Sequence, residues 1–221
     1  MAEKYGVKPK LFTKEWWPYY WMYYKWHTIA IVFIGMVVAI GAVQCARKIE
    51  PDLSAVYCGK MSYSEQAWSV VTNALAEDIN DINEDGKKNI ALMPLLIIDD
   101  EQYAEQNYGM QVKHVASFSD ETNYIYIYDK EFVDANIVNE DESEVFHITD
   151  KWLETDIDDD KLVRGQNGNA YAVSLADSTL MRAAGIKSDE MYLLIKYDTD
   201  SPYRNEQAFE NAVIAANKLV K

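Results

Sequence analysis

Among the side chains able to do chemistry, the tightest grouping is Asp81-x-Asn83-x-Asp85-Gly86, with oxygens at alternate positions ahead of a glycine. Hard oxygen donors at that spacing suit a calcium ion, and the glycine supplies the sharp turn that brings them round one point. The match covers the first half of a twelve-residue calcium loop. Position 8 is Lys88 in place of an apolar residue, and position 12, where a bidentate Glu closes the cage, is Leu92. Asp81, Asn83 and Asp85 are therefore the candidate metal ligands, with Asp78 or a carboxylate remote in sequence to complete the set. The same residue types also make an ordinary polar turn between a helix and a strand.

Two further acidic runs, Asp156-x-Asp158-Asp159-Asp160 and Glu140-Asp141-Glu142, offer cation ligands but no glycine or spaced acceptor to shape a cage. Runs of like charge usually form solvated loops. Asp99-Asp100-Glu101 follows a strand-like run and so falls where ligands of open α/β sheets bind, outside the carboxyl ends of strands. The three histidines, His27, His114 and His147, are isolated, with no HExxH and no partner at zinc spacing. The chain has no GxSxG, no Walker loop and no GxGxxG, and Gly165-Gln166-Asn167-Gly168 is too short to cradle a phosphate. A net charge of −15 argues against nucleic acid, whose binders present a basic face. These residues predict a non-catalytic protein with no organic cofactor and calcium as the candidate ion.

The elements that must position these residues fall on either side of Thr28–Ala46, a run of 19 residues without a charge. At 1.5 Å per residue such a helix is roughly 28 Å long, close to the hydrocarbon thickness of a bilayer. The run is longer than the apolar region of a signal peptide, and 27 residues precede it, so it reads as an uncleaved anchor. Gln44 before Cys45 occupies the place where a lipoprotein cleavage site needs a small residue. Just upstream, Trp16, Trp17, Tyr19, Tyr20, Trp21, Tyr23, Tyr24 and Trp26 crowd a segment of twelve residues. Their rings join an apolar body to a polar tip, which suits the headgroup layer of the bilayer. Residues 1–27 carry five lysines and two glutamates. Of the chain's 21 basic and 36 acidic side chains, 16 and 34 lie beyond them, a net of −18. Excess Lys near the amino-terminal end of the span, and repulsion of an acidic domain by an anionic inner leaflet, place that end in the cytoplasm.

The expected organisation is a cytoplasmic basic and aromatic segment (1–27), a transmembrane helix (28–46), a tether (47–53) and an acidic extracytoplasmic domain (54–221). Within that domain, apolar runs at Ser54–Cys58, Ile90–Ile98, Thr122–Tyr128, Ala170–Leu175 and Met191–Tyr197 read as strands. The Ile90–Ile98 run suits a strand covered on both faces, whereas Pro94 within it points to a sheet edge or a bulge. Trp68, Val71, Leu75 and Ile79 mark the buried face of one helix, and Ala208, Phe209, Ala212, Val213, Ala216 and Leu219 that of the last. Over Glu101–Asp120 a helix is expected with Val112, Val115, Ala116 and Phe118 inward. Strands alternating with helices predict an α/β domain with a mainly parallel or mixed sheet.

The junction Tyr23-Tyr24-Lys25-Trp26-His27, followed by one helix and Pro51-Asp52-Leu53, resembles a group of uncharacterised bacterial single-pass membrane proteins. Asn123–Phe132, Tyr171–Ser178 and Ala184–Ile186 ahead of Met191–Tyr197 look like one lobe of an extracellular solute-binding protein. The resemblance implies the α/β lobe and an extracytoplasmic location, and it carries over no binding residue. The expected function is binding: a partner protein at the cell envelope, or a small molecule or calcium ion for a sensor or transport accessory. Protease added to intact cells is expected to digest the acidic domain and leave a fragment containing the helix. Protection until the membrane is permeabilised would reverse the orientation.

Overall fold

The uncharged run lies within one long helix, α1 (Trp16–Ala46), which also takes up the aromatic segment. The computed structural model describes residues 9–46, 50–98, 100–139, 145–154, 156–197 and 205–221. The chain divides into two units, Met1–Ile49 and Glu50–Lys221. At 31 residues α1 is roughly 46 Å long, more than a bilayer core of about 30 Å requires. It is long and apolar enough to cross a membrane, and its apolar window is exposed throughout. Its first turns are held by rings at i, i+4 spacing: Trp16 stacks on Tyr20 and Tyr20 on Tyr24, with centroids 4.9 and 5.7 Å apart. The Tyr20 hydroxyl hydrogen-bonds the Thr28 hydroxyl, and Lys25 Nζ sits 5.7 Å from the Trp26 ring centroid.

The second unit is built on six strands: β1 (Leu53–Gly59), β2 (Ile90–Leu96), β3 (Asn123–Asp129), β4 (Leu162–Arg164), β5 (Ala170–Ser174) and β6 (Met191–Ile195). Between and after them come α2 (Glu65–Ala76), α3 (Ala104–Ser117), α4 (Lys130–Val133), α5 (Thr179–Ala183) and α6 (Glu206–Leu219). A single π-helical turn, Asp134–Asn139, continues α4. The sheet order is β2-β1-β3-β6-β5-β4. β2, β1 and β3 run parallel, while β6, β5 and β4 join antiparallel, so the α/β sheet is mixed. The short turn at Gly165–Gly168 folds β4 back on β5, which only antiparallel strands allow.

Alternation along β1 divides the core. Leu53, Ala55 and Tyr57 face α2 and α6, packing with Trp68, Val71, Leu75, Ala212 and Leu219. Val56 and Cys58 face the other layer with Tyr126, Tyr128, Val133 and Phe146. Cys58 is fully buried, as a small apolar side chain would be. Ser64 caps α2 by accepting from Ala67 N–H, and Asn205 caps α6 in the same way at Ala208. β2 is not covered on both faces: most of it is half-buried or exposed, because it is the edge strand, where a proline is tolerated.

The largest departure from the sequence pattern is the phase of α3. Val112, Val115 and Ala116 are exposed, and the residues turned inward are Asn107, Met110, His114 and Ser117. The reason lies on the sheet, where β3 presents tyrosine hydroxyls. His114 Nε2 hydrogen-bonds the Tyr128 hydroxyl at 2.5 Å and Ser117 Oγ the Tyr126 hydroxyl at 2.9 Å. Buried hydroxyls require partners, so a polar face is the one that fits. Phe118, half-buried, stacks on Tyr126 at 4.8 Å. The buried Lys196 then closes the end of α3, its Nζ donating to Asp120 O at 2.8 Å and lying 4.6 Å from the Tyr124 ring centroid.

Just ahead of β1, Asp52 is fully buried. Its Oδ1 accepts from Ile82 N–H at 2.9 Å and Asn83 N–H at 3.4 Å, and its Oδ2 from Asn89 N–H at 2.8 Å. Replacing Asp52 by Ala strands these donors, each costing about 1–3 kcal/mol when buried and unmade. We expect Asp52→Ala to lower the free energy of unfolding by roughly 3 kcal/mol in urea, at unchanged m-value. A loss below 0.5 kcal/mol would mean that the turn is held by other contacts.

Candidate functional site

β1 feeds α2 on one face of the sheet and reaches β2; β2 then feeds α3 on the other face and reaches β3 on the far side of β1. Strand order therefore reverses between β1 and β3. In open α/β sheets the crevice outside the carboxyl ends of the strands at such a reversal is where ligands bind. A cleft of about 740 Å³ opens there, between Gly59 at the end of β1, Asp129 at the end of β3, and the inner face of α3. Its walls are mainly apolar, formed by Ile97, Ile98, Val115, Phe118, Phe132 and Val145. The polar groups are Lys60, Asn107, Gln111, His114, Asp129, Glu131 and Asn136. A predominantly apolar cleft of this size with a few polar groups is the usual form of a small-molecule site.

Asp129 is its best-defined polar group. It precedes α4 at the N-cap position, yet its side chain makes no capping bond there. Instead Oδ2 accepts from Lys60 N–H at 2.8 Å, and the Tyr57 hydroxyl donates to both carboxylate oxygens at 3.2 and 3.3 Å. A Cβ on Gly59 would collide with this carboxylate and with the Tyr57 hydroxyl, so the close approach requires glycine. Burial raises the Asp129 pKa above the ordinary carboxylate value, and the carboxylates of Glu190 and Glu131 push it the same way. Burial, with Asp129 next, pushes the Tyr57 hydroxyl well above its ordinary value, so it is a proton donor at every physiological pH. Asp129 also lines a second, smaller cavity of about 360 Å³ with Met61, Tyr63, Lys187 and Glu190. No cation is ion-paired with it among the described residues.

His114 lines the cleft and is anchored behind it by Tyr128, with the Phe118 and Phe132 rings 5.1 and 5.3 Å from the imidazole. One wall is held by Asn107, which donates to Ile98 O at 2.7 Å and accepts from Ile98 N–H at 3.1 Å. At the rim Lys60 Nζ is ion-paired with Glu131 at 2.5 Å. Of these residues, Asp129 is recognisable in sequence as a strand-end acid, whereas Lys60, Asn107, Gln111 and His114 are not picked out by any motif. A signal for the helix was nonetheless present: Asn107, Met110, His114 and Ser117 recur at three- and four-residue intervals.

The candidate calcium ligands lie at the far edge, in the turn before β2. Asp81 Oδ2 accepts from Gly86 N–H, Asn83 Oδ1 from Asp85 N–H and Asp85 Oδ1 from Lys87 N–H, at 2.8–2.9 Å. Glu84 and Gly86 take left-handed backbone conformations. The three side chains thus brace the backbone of their own turn. Asp78 pairs with Lys218 Nζ at 2.5 Å, and Asp52 is occupied as described. Among the described residues no group of three or more His, Cys, Asp or Glu side chains is arranged to hold a metal. In the Asp156–Asp160 run, Asp159 pairs with Arg164 and Asp158 with Lys161. Asp99 and Glu140–Glu142 lie outside the described residues. The aromatic residues expected at a membrane interface, Trp16 to Trp26, occupy the first three turns of α1.

Comparison with protein-family models, curated proteins and solved structures returns no match to this chain.

Burial lowers the His114 pKa from 6.5 to about 4. The unfolded chain therefore binds the proton first. The stability that neutral His114 contributes is complete above about pH 6.5 and is lost as pH falls towards 4, by up to about 3 kcal/mol. Urea unfolding of the wild type and of His114→Gln from pH 7 to 4 should show their difference shrinking by that order. Parallel pH profiles would mean that another group titrates.

Proposed function

We propose that this chain is a membrane-tethered, extracytoplasmic binding module that receives a small molecule in the cleft at the carboxyl ends of β1 and β3. The observation that carries this reading is the convergence of Asp129, Asn107, Gln111 and Lys60 on one apolar cleft of about 740 Å³ at the reversal of strand order. The likeness of Asn123–Phe132 and Tyr171–Ser178 to one lobe of a solute-binding protein supports it. A single anchor ahead of a binding domain fits a sensor or a transport accessory, with the amino terminus in the cytoplasm.

A second reading rests on α3. Tyr108 and Val112 are 69 and 50% exposed and lie one turn apart on the side of α3 away from the cleft lining, a surface suited to a protein partner at the cell envelope.

Thermal unfolding of the full chain in lipid nanodiscs, against a panel of small solutes and calcium, distinguishes the two. A ligand at a hundredfold excess over its Kd stabilises the folded state by about 2.7 kcal/mol, a shift of several degrees. Val115→Trp, which fills the cleft from an exposed position, is expected to abolish that shift. A flat panel would sink the small-molecule reading. Crosslinking from position 112 in the native membrane to one protein, unaffected by Val115→Trp, would favour the second. A calcium-dependent shift abolished by Asp81→Asn would move the site to the turn before β2.

A further inference from the structure

Resting on the cleft reading above, we infer that the ligand is a small organic cation, an ammonium group carried on an apolar or aromatic body. The argument starts from charge. Among the described residues of the lining, the formal charges are Lys60, Asp129 and Glu131, a net of −1. Lys60 and Glu131 satisfy each other at the rim. That leaves Asp129 as the uncompensated charge of the cleft. A carboxylate offers about four acceptor positions. The Tyr57 hydroxyl and Lys60 N–H supply two donors, so acceptor capacity remains.

A half-buried carboxylate without a counter-ion is costly, and its burial is offset when a cation arrives with it. The surroundings set the rest of the ligand. Ile97, Ile98, Phe118 and Phe132 form apolar walls, and the two phenyl rings present faces or edges to whatever fills the space. Aromatic rings and a carboxylate lining one cleft favour an ammonium ion on an aromatic body, through the charge and through the ring quadrupole. The same arrangement disfavours anions. A phosphate or carboxylate ligand would meet Asp129, and among the described residues of the lining the one lysine, Lys60, is already ion-paired with Glu131 and His114 is held neutral by burial. Nucleotides, sugar phosphates and carboxylic acids are therefore the disfavoured classes.

The test compares three phenylethyl probes by calorimetry, on the full chain in nanodiscs with empty nanodiscs as reference: 2-phenylethylamine, the neutral 2-phenylethanol and the anionic 3-phenylpropanoate. The amine is expected to bind at least tenfold more tightly than either of the others. Asp129→Asn should reduce its affinity to that of the neutral probe, while Glu105→Gln, an exposed α3 carboxylate outside the cleft lining, leaves it within about threefold. This comparison among probes on the wild type needs no variant to fold. Equal or tighter binding of the neutral or anionic probe, competed by Val115→Trp, would overturn the cation inference and leave the cleft reading standing. Absence of binding by all three would overturn the cation inference, while the solute panel above decides the cleft reading separately.

Discussion

A single buried carboxylate sets the geometry of the parallel half of the sheet. Asp52 sits one residue ahead of β1 and gathers backbone N–H groups from both ends of the turn that leads into β2. Asp52 N–H in turn donates to Asn89 O at 2.9 Å, so the first rung of the β1–β2 ladder is in place before either strand begins. Asn211 of α6 donates to Asn80 O and accepts from Asn80 N–H, fastening the last helix to the same corner. With register set at this edge, the carboxyl ends of β1 and β3 emerge together at the other, where Gly59 allows Asp129 to approach. The polar turn that resembles half of a calcium loop belongs to this corner, and its own side chains already serve the backbone.

The second organising constraint is the row of tyrosines on β3. Tyr126 and Tyr128 bury their rings but bring hydroxyls with them, and a hydroxyl without a partner in a dry interior is expensive. α3 meets that demand with Ser117 and His114 and so turns its aliphatic residues outward. The cleft is a by-product of this arrangement: a helix that docks through hydrogen bonds and rings, with only Met110 as a large aliphatic contact, leaves space beside them.

Much of this architecture was legible in the sequence. The uncharged run, the strands around Tyr57, Ile125 and Leu193 and the edge position signalled by Pro94 all rest on local rules that tertiary context did not override. The phase of α3 was hidden because hydrophobic periodicity assumes that the surface opposite a helix is apolar. Here it carries hydroxyls, and Val112 and Val115 outlined the wrong face. β4 was missed because three residues give no alternation to read. The cleft was only half visible: Asp129 stands at the end of a clear strand, but its neighbours Lys60, Asn107 and His114 come together through strand order, which no local pattern encodes.

The edges of the sheet carry a consequence for life at high density. Copies of any chain held at high concentration meet often, and an open strand edge is then an invitation to pair. β2 answers with Pro94, which has no N–H to offer a neighbour's ladder, and β4 with three residues and the Arg164–Asp159 pair beside it. The sheet is thus finished at both ends against growth, so that crowding need not become polymerisation.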